Sequence, residues 1–308
     1  MVADTGACLS TMANPCFGSP RRLDLRLGCA PGTPVRDTLD VWPTLPLAIS
    51  TYDSPTRGRL ENMLAVLEHS HRVCQIRLLD LSTPQMEKVL AAMQVPFPEL
   101  KELVLQVMSN DDTAVVPDLF LGGSAPRLRH FFSFRVPFPG LPKLLLSATH
   151  LVELQLSKIP HSGYFSPETL LTALSICISL NHLSLAFQSP RSCPDQARLP
   201  PPPSERTILP VLTNFYFTGA SEYLEDLVAS IDAPIKDMGL AFFNDVVFDA
   251  PQLVQFISRT PTLKSLEKAC LLLRKDFGRV MFSSQTSNYG GLRVEIMCNG
   301  LEWQVSFL

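Results

Sequence analysis

Apolar positions along the chain fall into a repeated beat, apolar-x-x-apolar-x-apolar, and Leu100-Lys101-Glu102-Leu103-Val104-Leu105 is its cleanest copy. Copies begin at Val73, Leu100, Leu128, Leu151, Leu180, Leu212 and Ile235, and a broken one begins at Leu263. Within a copy the alternation has period two, which is the mark of a strand. Between copies the period lengthens. Leu60, Met63, Leu64 and Leu67 stand at helical spacing before Val73. Ser82-Thr83-Pro84 then sets a capping hydroxyl ahead of a helix-starting proline, before Met86, Val89, Leu90 and Met93. The same start signal recurs at Ser166-Pro167-Glu168, at Ser221 and at Asp249-Ala250-Pro251. The chain therefore alternates strand and helix, which predicts parallel strands.

The beat recurs at steps of 23 to 32 residues, a period that marks a leucine-rich solenoid. The fold expected is α/β, an irregular leucine-rich-repeat solenoid of parallel strand–helix repeats with a C-terminal antiparallel strand cap. Residues 1–45 show no sustained period and read as irregular or partly disordered, with Leu45–Ser50 as the first strand. The repeats occupy 46–275. A Pro-rich insertion at 188–206, with four consecutive prolines at Pro200–Pro203, reads as an exposed loop. Residues 276–308 alternate with period two through Arg279–Ser284, Leu292–Cys298 and Leu301–Phe307, with Asn299-Gly300 as a hairpin turn. That closes the open end of the solenoid.

Eight residues after the first apolar position, where many repeats of this kind carry an asparagine, stand Leu81, Met108, Val136, Ile159, Gln188, Ala220, Phe243 and Leu271. The turn after each strand is therefore expected to bury a side chain, Met108 among them. The residues between the apolar positions point to the concave face. Read off in order, the candidate protein-binding residues are Arg77, Glu102, Gln106, His130, Phe132, Phe134, Glu153, Gln155, His182, Tyr216 and Asp237. His130, Phe132 and Phe134 put three rings on one strand among polar neighbours, the composition of a binding hot spot. In the competing reading the strand is out of register and Phe131 points inward.

Composition narrows the classes. The 26 basic against 29 acidic residues give a net charge of −3, with no electrostatic footprint for nucleic acid or an anionic membrane. Asp4 and the absence of a long apolar run near Met1 argue against a signal peptide, and no window suits a membrane span. Eight scattered cysteines read as reduced thiols in a cytoplasmic or nuclear protein. His69, His71 and Cys74 come nearest to a metal cluster but lack a second ligand pair. Gly122-Gly123-Ser124 lacks the lysine of a phosphate loop and reads as a turn; Asp111, Asp112 and Asp118 lack the spacing of a calcium loop. No cofactor is expected, and the chain is expected to be a non-catalytic monomer.

Five stretches carry a family resemblance: Gly122–Arg129 (GGSAPRLR), Val136–Leu151 (VPFPGLPKLLLSATHL), Ile159–Glu168 (IPHSGYFSPE), Ser221–Val228 (SEYLEDLV) and Phe248–Pro261 (FDAPQLVQFISRTP). They resemble F-box proteins of mushroom-forming fungi, over roughly Pro46 to the end. The resemblance implies a substrate receptor. In that family an N-terminal F-box binds the adaptor of a cullin-RING ubiquitin ligase, and the repeat domain holds the protein to be ubiquitylated. Residues 1–45 carry neither the opening Leu-Pro signature nor the Trp-rich helix of an F-box. Asp40-Val41-Trp42 is similar only to the segment that often follows one. The resemblance thus implies the receptor half with the ligase-docking half missing or replaced, and an adaptor partner only if an F-box lies upstream. The alternative is a stand-alone repeat scaffold or a truncated family member with no ligase link.

Overall fold

The computed structural model describes residues 25–28, 39, 45–51, 57–79, 81–108, 114–189, 206–242, 250–264, 268–273, 277–283 and 291–297. The chain divides into two compact units, Met1–Ala148 and Thr149–Leu308. The boundary falls inside the span expected to be a single run of repeats. Most of the Pro-rich insertion, the Asn299-Gly300 turn and the strand expected at Leu301–Phe307 lie outside the described residues.

In the first unit five strands run parallel in chain order: β1 (Leu25–Gly28), β2 (Leu47–Ser50), β3 (Val73–Leu79), β4 (Glu102–Gln106) and β5 (His130–Phe134). Strand β1 corrects the expectation for residues 1–45, because Leu25 to Gly28 pair with Leu47 to Ser50. Its signal is present in the alternation Leu23-Asp24-Leu25-Arg26-Leu27. Helices α1 (Arg57–Leu67) and α2 (Thr83–Ala92) return the chain between strands. Helix α2 starts as its sequence requires: the Ser82 N–H donates to Gln85 Oε1 at 3.0 Å, and Pro84 occupies the first turn, where its missing N–H costs nothing. Met86, Val89 and Leu90 turn from it into the core. After β5 a short helix, α3 (Leu141–Leu145), buries Leu141, Leu144 and Leu145.

The second unit continues the pattern with β6 (Glu153–Ile159), β7 (His182–Phe187), β9 (Asn214–Gly219) and β11 (Asp237–Phe242), parallel neighbours in that order. Between β7 and β11 the short strands β8 (Thr207–Ile208) and β10 (Ile231–Asp232) pair with each other in a sheet of their own. The crossovers carry α4 (Pro167–Leu174), α5 (Ser221–Ala229), α6 (Pro251–Arg259) and α7 (Pro261–Lys264). The remaining strands are β12 (Lys268–Leu273), β13 (Phe277–Ser283) and β14 (Gly291–Met297). They form an antiparallel meander, but the last in sequence docks first: β14 lies parallel against β11 and β12 is outermost. The antiparallel part begins at Lys268, earlier than expected, and the broken beat at Leu263 does not supply the next rung.

The beat's inward positions are buried throughout. Val73, Leu100, Leu128, Leu151, Leu180, Leu212, Ile235 and Leu263 are each at most 2% exposed. In the seven full copies the second and third positions are buried as well, including Ser133, a polar member of the β5 set. Beneath β5 the rings of Phe120 and Phe131 both meet Phe138 edge to face. In the second unit Tyr164, Phe187, Phe217 and Tyr223 form an aromatic core. Gly219 makes room for it, since a Cβ there would stand 2.7 Å from Phe217 Cζ.

The turns after the strands divide into two kinds. Arg135 and Lys158, at the seventh position of their repeats, adopt left-handed φ of 58° and 52°. Each works like a bulge, shifting the alternation by one, so that Val136 and Ile159 are buried at the eighth position. After β4 no such residue intervenes. The Val107 N–H donates to Phe134 O at 3.1 Å, the chain stays extended, and Val107 is buried instead. Met108 is 56% exposed, contrary to the expectation that it turns inward. Gly122 and Gly123 do form a turn, with φ of 66° and 75°; a Cβ on Gly122 would meet Pro96 Cγ at 2.9 Å.

Two expected helix caps are also replaced. Ser166 caps α4 as predicted, its Oγ accepting from the Thr169 N–H at 3.2 Å. Ser221, however, is the first residue of α5, and Ala220 precedes it without a side-chain cap. The start of α6 is capped from its neighbour. The Glu225 carboxylate accepts from the N–H groups of Gln252 and Leu253, both at 2.8 Å. A carboxylate suits that end because unpaired amides and the helix dipole both favour negative charge there.

Candidate functional site

Each parallel strand presents alternate side chains on the face opposite the core. Backbone hydrogen bonds hold the strands in step where they begin. The Lys101 N–H donates to Cys74 O, His130 to Lys101 O, His182 to Val152 O, Asn214 to Asn181 O and Asp237 to Thr213 O. As a result the outward positions read from the sequence line up across the sheet. Residue Gln75 faces Glu102 and His130 in register, Arg77 faces Val104 and Phe132, and Leu79 faces Gln106 and Phe134. In the second unit Glu153, His182, Asn214 and Asp237 form one row, and Gln155, Ser184, Tyr216 and Gly239 form the next. All eleven residues proposed from the sequence lie at such positions, six in the first unit and five in the second. All are half-exposed.

The first unit ties its charges together. Glu102 accepts from Gln75 Nε2 at 3.0 Å and from Arg77 Nε at 2.6 Å, and Arg77 Nη2 completes the pair. Gln75 was not among the proposed residues. An amide opposite a carboxylate at equal register is the signal for it. On the neighbouring strand Phe131 is buried while Phe132 and Phe134 stand on the open face. Phe131 takes the inward position of its beat, and the register leaves the other two rings half-exposed. The Arg135 guanidinium lies 5.5 Å from the Phe134 ring centre and donates to Met108 O at 3.1 Å, bracing the turn beside it.

The second unit builds a different surface. The His182 and Tyr216 rings lie 5.3 Å apart, tilted by 34°. The Tyr216 ring rests on Gly239, where a Cβ would stand only 2.6 Å from its Cδ1, and its hydroxyl donates to the Asp237 carboxylate. Glu153 accepts a hydrogen bond from Gln155. Burial lowers the His182 pKa below the ordinary histidine value, and the carboxylates of Glu153 and Asp237 partly oppose that shift. Gly239 shapes this surface although it contributes no side chain of its own. The signal for it is a tyrosine one strand earlier at the same register.

Elsewhere the chemistry weighed from the sequence resolves into structure. Cys74 donates its thiol to Leu47 O at 3.4 Å, and the His69 and His71 rings lie 6.3 Å apart. Among the described residues no group of three or more His, Cys, Asp or Glu is placed to hold a metal ion. Cys177 is a buried thiol, its pKa pushed up to about 11 by burial. No described helix is long and apolar enough to cross a membrane. No family model, curated protein or solved structure matches the chain.

Proposed function

We propose that this protein is a non-catalytic protein-binding module of the leucine-rich-repeat kind, whose open sheet face holds a protein partner. The reading rests on one observation. The outward residues of seven successive beats stand in register within each unit up to the bulge at Lys158, half-exposed and mixed in character, instead of being covered by helices as the other face is. A surface of rings among polar groups is the composition that binding hot spots favour. The resemblance of Gly122–Arg129, Val136–Leu151 and the three later stretches to fungal F-box proteins supplies the context. On it, the face corresponds to the substrate-receptor half of a cullin-RING ubiquitin ligase subunit working in the cytoplasm or nucleus.

One observation favours the alternative, a stand-alone scaffold. Strand β1 at Leu25–Gly28 extends the parallel ladder inside the segment where an F-box would be helical. Both readings are tested by capturing partners from host lysate on the immobilised chain, with quantitative mass spectrometry. At least one protein should bind the wild type and be lost from the Phe132→Ala/Phe134→Ala variant, whose circular dichroism should be unchanged. Equal capture by both proteins removes the aromatic strand from the proposal. Recovery of the ligase adaptor supports the F-box reading, and its absence favours the scaffold.

A further inference from the structure

We infer that Met108 joins Phe132 and Phe134 in an apolar seat on the open face of the first unit, and that this seat takes an aliphatic or aromatic side chain of a protein partner. That rests on the protein-binding reading above, adds a residue to its surface and specifies the partner's chemistry.

Two independent observations carry it. The first is the path of the chain after β4. At Arg135 and Lys158 a left-handed residue shifts the alternation, and the eighth position of those repeats is buried as Val136 and Ile159. After β4 the backbone stays extended, with Val107 inward and its N–H donating to Phe134 O at 3.1 Å. The outward series Glu102, Val104, Gln106 therefore runs one residue further, to Met108. A side-chain contact places it there as well: Gln106 Nε2 donates to Met108 Sδ at 3.1 Å, which sets the sulfur beside a residue of the open face. Met108 is 56% exposed, and it is not a scattered apolar residue. The register sets Phe134 beside Gln106, and Arg135, next in the chain, donates to Met108 O at 3.1 Å. The methionine and the two rings thus share the end of the face where β4 and β5 finish.

The second observation is charge. Glu102 accepts from Gln75 and from Arg77, so that ion pair is closed within the face, toward the start of the strands. The Arg135 guanidinium lies 5.5 Å from the Phe134 ring centre and holds the Met108 carbonyl. Toward the other end the rows offer Leu79, Val104, Phe132 and Phe134, all half-exposed, with Met108 beyond them. A charged side chain seated among these groups would exchange water for carbon, at a cost, whereas an apolar one gains by leaving water. A partner whose contact is apolar therefore complements this face and leaves the Arg77–Glu102 pair intact. Methionine suits such a seat, because its unbranched chain adapts to different apolar shapes and its sulfur makes favourable contacts with ring edges.

The intact chain serves as bait for a random peptide library displayed on phage, and the selected peptides are measured by fluorescence anisotropy. They should be enriched in leucine, isoleucine, methionine and aromatic residues, and their affinity should change less than about twofold between low and high salt. Met108→Ser, which removes apolar bulk at an exposed position, should weaken them about tenfold. Met108→Leu, which keeps the bulk and drops the sulfur, should weaken them less than about threefold. The Phe132→Ala/Phe134→Ala variant should lose at least as much as Met108→Ser, with the circular dichroism of each protein unchanged. Peptides that need the two rings but bind Met108→Ser as they bind wild type, or whose binding is lost in high salt, would overturn the inference and leave the protein-binding reading standing. Peptides indifferent to all of these variants would overturn it and also take the rings out of that reading. Failure to enrich any peptide above background would sink both.

Discussion

The two units present the same kind of parallel ladder with different side-chain chemistry on its outward rows. In the first, Glu102 sits one strand from Arg77 and Gln75, so opposite charges meet within the face and the apolar rings Phe132 and Phe134 dominate what is left. In the second, the carboxylates of Glu153 and Asp237 lie three strands apart, with the His182 and Tyr216 rings on the strands between them and the Tyr216 hydroxyl bonded to Asp237. The difference comes from residue choice at equivalent register, since backbone pairing is the same in both. A repeat fixes where a side chain points; the residue placed there decides what that position binds.

Four comparisons separate the two units further. The largest effect is expected from Gly239→Val. A Cβ there collides with the Tyr216 ring, so the ring must leave β11, at a cost of about 1–3 kcal/mol in urea unfolding. The hydroxyl bond to Asp237 should go with it, seen as a change in tyrosine fluorescence. The same replacement at Val104 register in the first unit is already present naturally. Next come the helix starts. Glu225→Ala removes the carboxylate that caps α6 from α5 and should cost about 1–2 kcal/mol, against about 1 kcal/mol for Gln85→Ala at the local cap of α2. Equal losses would show that the tertiary cap has no advantage.

A smaller effect is expected from the charges themselves. Because Arg77 and Glu102 are partly exposed, Glu102→Gln should cost about 0.5 kcal/mol and less in high salt. The smallest is the pH response of His182. Its folded pKa is lowered, so the unfolded chain binds the proton more readily and stability rises with pH in this range. As pH falls through the ordinary histidine value toward the folded one, wild type should lose melting temperature that His182→Gln keeps. Parallel curves for the two proteins would place the His182 ring in full contact with water.

Much of this was legible in the sequence. The seven beats from Val73 to Ile235 each became a strand, and the outward residues read from them share register rows as spaced. Local signals also gave Ser82 and Ser166 as helix starts and Gly122–Gly123 as a turn. The misreadings share a cause. Strand β1 was passed over because four residues give too short a period to outweigh their irregular surroundings. Met108 was expected inward by analogy with its repeats, but burial at that position depends on whether the preceding residue turns left-handed, as Arg135 and Lys158 do and Val107 does not. Gly239 offers no side chain to read, since what it does is make room for Tyr216.

By itself the sequence determined the seven repeated strands from Val73 to Ile235, which way their alternate side chains point, and that these strands run parallel. These follow from periods of two and of about 3.6, which a few neighbouring residues impose through backbone sterics and hydrogen bonding. Tertiary structure alone decided that β14 and not β12 lies against β11, that Glu225 caps a helix beginning 26 residues later, and that Tyr216 lies flat beside Asp237. Each of those joins groups far apart in the chain. Nearby residues permit many such pairings, and only the packed whole selects among them.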